Sequence, residues 1–109
     1  MNTLYLKESL STRRLWKIDP EEIIFIESDG HFLKITYTEG TISILKSIKD
    51  LLEILNSFTY FHRIHRSYII SERFILFIDQ YNVQLKNDIK IPIGKTYRSS
   101  FLSRILNQH

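Results

Sequence analysis

The ten residues from Phe61 to Ile70 read FHRIHRSYII, and the rest of the chain is best interpreted outward from them. The segments Tyr60 to Ile64 and Tyr68 to Ile70 are rich in aromatic and β-branched side chains, which favour extended structure. A polar group, His65-Arg66-Ser67, separates the two segments. The stretch therefore predicts two strands joined by a turn.

Upstream of this stretch, further segments have the residue pattern of strands. Ile23 to Glu27 is a short apolar run typical of a buried strand, and Ser28-Asp29-Gly30 breaks it with His31 at the break. Phe32 to Thr38 and Thr41 to Ile44 alternate with a period of two, which is typical of half-buried strands. A glycine-containing turn between them predicts a hairpin.

One segment changes from strand periodicity to helical periodicity. Ile48, Leu51, Leu52 and Leu55 fall at positions i, i+3, i+4 and i+7, which is one face of a helix. Ser47 stands directly before this face and can accept hydrogen bonds from the first amides. The pattern predicts an internal helix that begins after Ser47.

The remaining segments complete a chain that is mostly β. A second helix is predicted from Lys95 to Leu106, with Tyr97, Phe101 and Ile105 on one face. Short strands are predicted over residues 4–7, 14–18, 74–79, 83–85 and 89–93. Strands with one internal and one C-terminal short helix predict antiparallel sheets joined by tight hairpins.

Composition sets broad limits on function. A length of 109 residues fits one compact domain, so residues 1–109 are expected to form a single domain. The net charge of +3 and the pI of about 9.2 are compatible with a polyanionic partner. There is no cysteine, no apolar run long enough to span a membrane and no signal-peptide pattern, so a cytoplasmic location without a membrane partner is expected.

Single motifs that suggest catalysis or metal binding lack the surroundings they need. Gly94-Lys95-Thr96 resembles the end of a phosphate-binding loop, but Ile89 stands where that loop needs a glycine. His62 and His65 are three apart on a predicted strand, which favours a structural or DNA-facing role over metal binding. No cysteine nucleophile or glycine-flanked serine elbow occurs. We therefore expect no enzymatic activity, no cofactor and no metal.

Positive charge collects at the breaks between predicted elements. Three pairs of basic residues lie at such breaks: Lys46 and Lys49, Arg63 and Arg66, and Lys95 and Arg98. Serine and threonine side chains interleave with these charges. Cations mixed with hydroxyl groups suit phosphate oxygens, although an ordinary solvated surface has the same composition.

Four segments in order resemble the LytTR family of bacterial DNA-binding domains. The opening stretch, Phe61 to Ile70, is similar to the central signature of that family. Ile24 to Ser28 resembles its early strand, and Leu45 to Leu51 the segment that opens its internal helix. Ile91 to Tyr97 is similar to its closing strand and turn, and the likeness as a whole runs from Ile18 to Phe101.

The resemblance implies a fold of three small antiparallel sheets in an elongated sandwich with short helices beside them. It implies that double-stranded DNA is recognised by loops that enter successive major grooves, rather than by an inserted helix. It also implies the output domain of a transcriptional response regulator in a two-component system. An upstream receiver domain or sensor kinase would lie outside this chain, since the segment before Ile18 is too short to hold a receiver.

Carried over by position, the resemblance makes His31 and Arg66 candidate base or phosphate contacts and places Gly94 and Lys95 in a third contact region. The family often has a serine followed by a basic residue there, so Gly94 departs from the pattern and lacks the side chain for that contact, while Lys95 keeps the charge. His65 is assigned mainly to structure, as an imidazole that ties the loop together.

Side-chain chemistry divides the candidates further. Arg66 can make a bidentate pair with guanine, and Ser67 places a hydroxyl beside it. Lys46, Lys95 and Arg98 suit phosphate contacts that fix the register without reading sequence.

Two hypotheses from different classes follow. The first is a DNA-binding domain that reads paired direct-repeat sites, with a homodimer forming on the DNA. The second is a small β-domain for protein interaction or dimerisation, motivated by seven Phe and six Tyr, more than a small core needs.

Overall fold

The segments with strand patterns form three separate antiparallel sheets in the computed structural model, which describes residues 3–108. Ten strands lie within these residues: β1 Leu4–Lys7, β2 Leu15–Ile18, β3 Ile23–Asp29, β4 Phe32–Tyr37, β5 Gly40–Ile44, β6 Phe61–His65, β7 Tyr68–Ser71, β8 Ile75–Ile78, β9 Asn82–Leu85 and β10 Ile89–Pro92. Two α-helices accompany them: α1 Ile48–Leu55 and α2 Arg98–Gln108. The predicted fold, three sheets with one internal and one C-terminal helix, is confirmed.

In the largest sheet, the segment from Phe61 to Ile70 lies beside β3. Its five strands lie in the order β5-β4-β3-β7-β6, whereas β1 pairs only with β2 and the third sheet has the order β10-β9-β8. Phe25, Ile26 and Glu27 of β3 pair with Ile70, Ile69 and Tyr68 of β7. Strands from two distant hairpins are thereby joined in the middle of the sheet.

The five-stranded sheet is the middle layer of the molecule, because its two faces carry two different cores. Ile26 and Ile69 belong to a core shared with the β1–β2 hairpin and α1. Their sequence neighbours Phe25 and Ile70 pack in a second core shared with the three-stranded sheet and α2. Adjacent residues in a strand point to opposite faces, so an uninterrupted apolar run is what a strand with two buried faces requires.

The two helices begin for different local reasons. The Oγ of Ser47 accepts a hydrogen bond from the amide of Asp50 at 3.1 Å, which confirms the predicted N-cap of α1. The predicted start of α2 at Lys95 is wrong, because the helix begins at Arg98. The amide of Tyr97 instead donates to the carbonyl of Gly94 at 2.9 Å, which closes a turn before the first helical residue.

The strand predicted over residues 74–79 also begins later than expected. A single 3₁₀ turn spans Glu72–Phe74, and its first amides are capped by the Oγ of Ser71, which accepts from the amide of Arg73 at 3.3 Å. β8 begins only at Ile75.

Within residues 3–108, no helix is both long enough and apolar enough to cross a membrane.

Candidate nucleic-acid interface

Two of the predicted contact loops leave the same end of the five-stranded sheet. β3 and β7 are antiparallel neighbours, so the turn after β3 and the turn before β7 lie side by side. The amide of Ser28 donates to the carbonyl of Ser67 at 2.9 Å and joins the two turns directly. His31 and Arg66 are both exposed on these turns.

Two further contact regions reach the same end through neighbouring strands. Ile44, the last residue of β5, pairs with Leu33 near the start of β4, so Lys46 follows at the same end as His31. At the other edge of the sheet, the amide of Gly94 donates to the carbonyl of Ile64 at 2.7 Å. We call residues 30–31, 45–46, 65–67 and 94–95 the loop end.

The loop end forms a row across the sheet. Its members follow the strand order, from Lys46 after β5 through His31 and Arg66 to Lys95 beyond β6. Neighbouring strands lie about 4.8 Å apart, so four spacings from β5 to β6 set a width of roughly 19 Å. The fold therefore brings into one row residues that lie far apart in the sequence, between positions 31 and 95.

The turn between β6 and β7 is held by hydrogen bonds from its own flanks. The Nδ1 of His65 accepts from the amide of Ser67 at 3.0 Å, which confirms the predicted structural role of this imidazole. The guanidinium of Arg63 donates to the carbonyl of Arg66 at 2.8 Å and to that of His65 at 3.4 Å, and it lies over the ring of Tyr97. These contacts fix the backbone of the turn and leave the side chain of Arg66 in solvent.

A register shift in β6 accompanies this turn. Arg63 pairs with Ile69 while His65 pairs with Tyr68, so Ile64 is an extra residue on its strand. Ile64 is fully buried in the second core. Because a bulge bends its strand and re-aims the residues beyond it, the shift sets the direction in which Arg66 leaves the sheet.

His62 lies inside the molecule and cannot face DNA. It is only 1% exposed, its Nε2 is 2.9 Å from the Oε1 of Glu72, and its ring makes an edge contact with Phe101. A carboxylate can only accept, so Nε2 carries the proton. Nδ1 has no hydrogen-bond partner in the described chain, and burial holds the pKa of His62 below its ordinary value, although Glu72 opposes the shift.

Neighbouring atoms fill the space that a side chain at Gly94 would need. A Cβ there would lie 3.0 Å from the Cδ2 of Tyr97 and 3.3 Å from the Cα of His65. Its amide donates to Ile64 and its carbonyl accepts from Tyr97, so both backbone groups are bonded within the chain. The departure from serine thus leaves room for the ring of Tyr97 on which Arg63 stacks.

Arg98 supports the turn between β8 and β9. Its Nη1 donates to the carbonyls of Asp79 and Gln80. The carboxylate of Asp79 accepts from the amides of Tyr81 and Asn82, and these two bonds lower its pKa. An open cleft of about 350 Å³ beside this turn is lined by Gln80, Tyr81, Ile93, Lys95 and Arg98.

The two ends of the five-stranded sheet carry opposite charge. The loop end contains Lys46, Arg66 and Lys95 and no carboxylate within its ranges, a formal charge of +3, although Asp29 borders it. We call residues 19–22, 38–39 and 72–73, where β3 begins and β7 ends, the far end. It has five carboxylates and one guanidinium, a formal charge of −4.

Sequence reasoning missed the bracing role of Arg63 and the opposite charges of the two ends. Arg63 and Arg66 are grouped there as basic residues at one break, and the resemblance assigns a contact to Arg66 but no role to Arg63.

Within residues 3–108, no group of three or more histidine, aspartate or glutamate side chains is arranged to hold a metal ion.

A family model described as the LytTr DNA-binding domain matches residues 13–105. The fold is similar to the solved LytTr DNA-binding domain of a protein described as a methyl-accepting/DNA response regulator from Bacillus cereus. The TM-score is 0.79 at 20% identity, over 96% of this chain and 97% of that chain. Curated protein sequences give no match.

Proposed function

Because the chain belongs to the LytTR family of DNA-binding domains, we propose that it reads duplex DNA sequence-specifically through its loop end. The observation that carries the proposal is the braced turn between β6 and β7. Arg63 and His65 hold its backbone, and the exposed guanidinium of Arg66 stands near the middle of a row of cations. Because the backbone is already fixed, only the side chain of Arg66 loses conformational entropy when it binds.

Each member of the loop end has a role that its chemistry suits. Arg66 reads a guanine through O6 and N7 in the major groove, and Ser67 bonds the adjacent phosphate or base edge. His31, on the neighbouring turn, is a second base or phosphate contact. Lys46 and Lys95 bind phosphates on either side and position the domain without reading sequence.

Gly94 and Arg98 act in this proposal mainly by positioning. Gly94 has no side chain, and its amide is bonded to Ile64, so it sets the place of Lys95 instead of contacting DNA. The Nη1 of Arg98 is bonded to the turn after β8, while its other nitrogens remain donors for a phosphate beside Lys95.

From the same family membership we also propose that loops of the domain enter successive major grooves. One helical turn of B-DNA is about 34 Å, which lies between the roughly 19 Å width of the loop end and the 41 Å extent of the whole domain. We further propose paired direct-repeat sites occupied by two copies of the chain. Direct repeats place both copies in the same orientation, so any contact between them is head-to-tail.

The wider setting follows from the same premise. We propose that the chain is the output domain of a bacterial transcriptional regulator, working in the cytoplasm where duplex DNA is found. A receiver domain or a sensor kinase would supply its signal. Residues 1–109 would then act as one DNA-binding unit.

Titration by fluorescence anisotropy tests the proposal after selection of bound sequences from a random duplex library. One selected site and one scrambled site are titrated at several salt concentrations. A strong preference for the selected site, with an affinity that falls steeply as salt rises, is expected because neutralised phosphates release counterions. Equal affinity for both duplexes would overturn sequence-specific reading.

Two alanine variants separate reading from positioning. Arg66→Ala should lose about 1–3 kcal/mol of discrimination at one or two base positions. Lys95→Ala should weaken binding to both duplexes by a similar factor and reduce the salt slope by about one unit. An Arg66→Ala protein with unchanged affinity and an unchanged preferred site would show that this residue is not the reader.

A second candidate function, protein interaction, is favoured by one feature of the three-stranded sheet. β8 is its edge strand, and Leu76 and Phe77 on that strand are 59% and 55% exposed. Exposed apolar groups on an unpaired edge invite association. Analytical ultracentrifugation distinguishes the candidates: a stable dimer that is indifferent to DNA would favour protein interaction.

A further inference from the structure

The tip of the β1–β2 hairpin lies at the loop end, although none of the contacts proposed above involves it. β1 ends at Lys7, and the carbonyl of the next residue, Glu8, accepts a hydrogen bond from the amide of Leu45 at 3.0 Å. Leu45 directly precedes Lys46. β2 then returns the chain to Asp19 at the far end. Residues 8–14, which we call the hairpin tip, therefore extend the row of loops on the side of β5.

The hairpin tip gathers hydroxyl groups around its turn. The Oγ of Ser9 lies 3.2 Å from the Oγ of Ser11 and 3.0 Å from the Oγ1 of Thr12, and it accepts from the amide of Thr12 at 3.2 Å. These three bonds are exposed to solvent. The amide of Arg13 donates to the carbonyl of Ser9 at 3.2 Å and closes the turn. Hydroxyl groups beside a guanidinium are a common ligand set for phosphate oxygens.

Charge at the hairpin tip is not fully compensated. The carboxylate of Glu8 accepts from the Nε1 of Trp16 at 3.0 Å and pairs with the guanidinium of Arg14 at 3.4 Å. The bond from Trp16 is the main reason that the pKa of Glu8 is lowered, so this carboxylate stays charged beside Arg14. Arg13 is exposed and has no ion pair within residues 3–108, which leaves its charge for an outside partner.

From these observations we infer that Arg13, with the hydroxyls of Ser11 and Thr12, binds a backbone phosphate of the DNA outside the bases that the loop end reads. The inference rests on the proposed function and adds a fifth loop to the four of the loop end. Its ligand is a phosphodiester flanking the site on the side of Lys46. Such a contact contributes affinity and register but no base discrimination.

Salt-dependent titration of two variants at one position tests the inference. Arg13 has a φ of 54°, a left-handed conformation that asparagine also tolerates, so Arg13→Asn removes the charge without forcing the turn to refold. Its salt slope should be lower than that of the unmodified protein by about 0.9 units. The affinity advantage of the unmodified protein should then shrink about 3.5-fold between 50 and 200 mM salt. Arg13→Lys should restore the slope.

Two controls tie the effect to flanking phosphates. Arg73→Gln removes an exposed guanidinium at the far end and should leave the slope unchanged. DNA trimmed to the bases that are read should abolish the difference between Arg13→Asn and the unmodified protein. An unchanged slope for Arg13→Asn, or a difference that persists on trimmed DNA, overturns the inference.

The same titrations keep this inference separate from the proposed function. Scrambled duplex, run in parallel, measures the site preference of the unmodified protein. If the protein prefers the selected site but the salt slope is the same in Arg13→Asn, the hairpin contact is overturned and sequence reading by the loop end is retained. An Arg13-dependent slope without any preference supports the phosphate contact and overturns sequence-specific reading.

Discussion

The two ends of the five-stranded sheet differ in charge and in what their side chains do. At the loop end, Arg66 is exposed and the groups that hold its turn, Arg63 and His65, act on the backbone. At the far end, charged side chains bond within the chain: Arg73 lies 3.6 Å from Glu21, and Glu22 accepts a bond from the hydroxyl of Thr38. The loop end exposes a cation, whereas the only cation of the far end, Arg73, is paired with a carboxylate.

The net charge of +3 does not show how unevenly charge is distributed over this molecule. It is the sum of a basic loop end, an acidic far end and the charges of the remaining surface. An uneven distribution of this kind orients a domain as it approaches a polyanion, because the basic end is attracted and the acidic end is repelled. The proposed interface is thus distinguished by its position and not by the total.

Neutralising the loop end should have the largest effect. In a Lys46→Gln/Lys95→Gln protein we expect the salt slope of DNA binding to fall by about 1.8 units, since each lysine neutralises one phosphate. The affinity advantage of the unmodified protein should then shrink about 12-fold between 50 and 200 mM salt. Anisotropy titrations over this range provide the measurement.

The matched control removes two charges from the far end. β3 has seven residues, so the ends lie about 20 Å apart, which is about twice the screening length at 0.1 M salt. Glu21→Gln/Glu39→Gln should therefore leave the slope within about 0.3 units of the original value. If both double variants change the slope equally, the contrast between the ends has no bearing on DNA binding.

The next effect separates the two arginines of the turn between β6 and β7. Arg63→Met should lower the free energy of unfolding by about 1 kcal/mol, because two carbonyls lose a charged donor and Tyr97 loses its stacked guanidinium. Arg66→Met should stay within about 0.5 kcal/mol, since its side chain is exposed. Urea denaturation measures both.

DNA binding completes the test of the two arginines. Arg63→Met keeps Arg66 but loosens the backbone that presents it, so both variants should lose discrimination while only Arg63→Met loses stability. Equal stability of the two variants would show that the bracing bonds do not contribute to folding.

The smallest effect concerns acid stability and arises close to the far end. The folded-state pKa of His62 lies below its ordinary value of 6.5, chiefly because of burial. The stability it contributes is complete above pH 6.5 and is lost as the pH falls below that value, because the unfolded chain then takes up a proton that the folded chain does not. Glu72 and Arg104 face this imidazole, and their opposing influences are part of the shift.

Denaturation between pH 7 and 5.5 measures this dependence. His62→Gln can still donate a hydrogen bond to Glu72 and should flatten the pH profile. His31→Gln, in the exposed turn at the loop end, should leave the profile as it is. If the pH dependence of stability changes in His31→Gln and not in His62→Gln, His62 is not the acid-sensitive group.

Much of the fold could be predicted from local pattern. The apolar run from Ile23 to Ile26 indicated a buried strand, and the spacing from Ile48 to Leu55 with Ser47 before it indicated α1. The error at the start of α2 has a tertiary cause. Gly94 is bonded to Ile64 on β6, and this distant contact holds residues 95–97 in a turn that helical periodicity could not exclude.

The residues of the candidate site were named from the sequence, but their arrangement was not. Resemblance to a family pointed to His31, Arg66 and Lys95, and it could not say that Arg63 braces the turn while Arg66 faces solvent. Both arginines have the same chemistry and stand three residues apart. Only the bulge at Ile64 and the ring of Tyr97 make them different.

What the sequence determined by itself was the alternation of strand and helix and the location of the turns, because hydrophobic periodicity and turn residues act over a few neighbouring positions. Which turns share an end, by contrast, is set by tertiary contacts. That depends on β3 pairing with β7, across the 38 residues between the two strands, and on two cores that bury both faces of the resulting sheet. Pairing between distant strands follows from burial of the whole chain, so no local segment contains it.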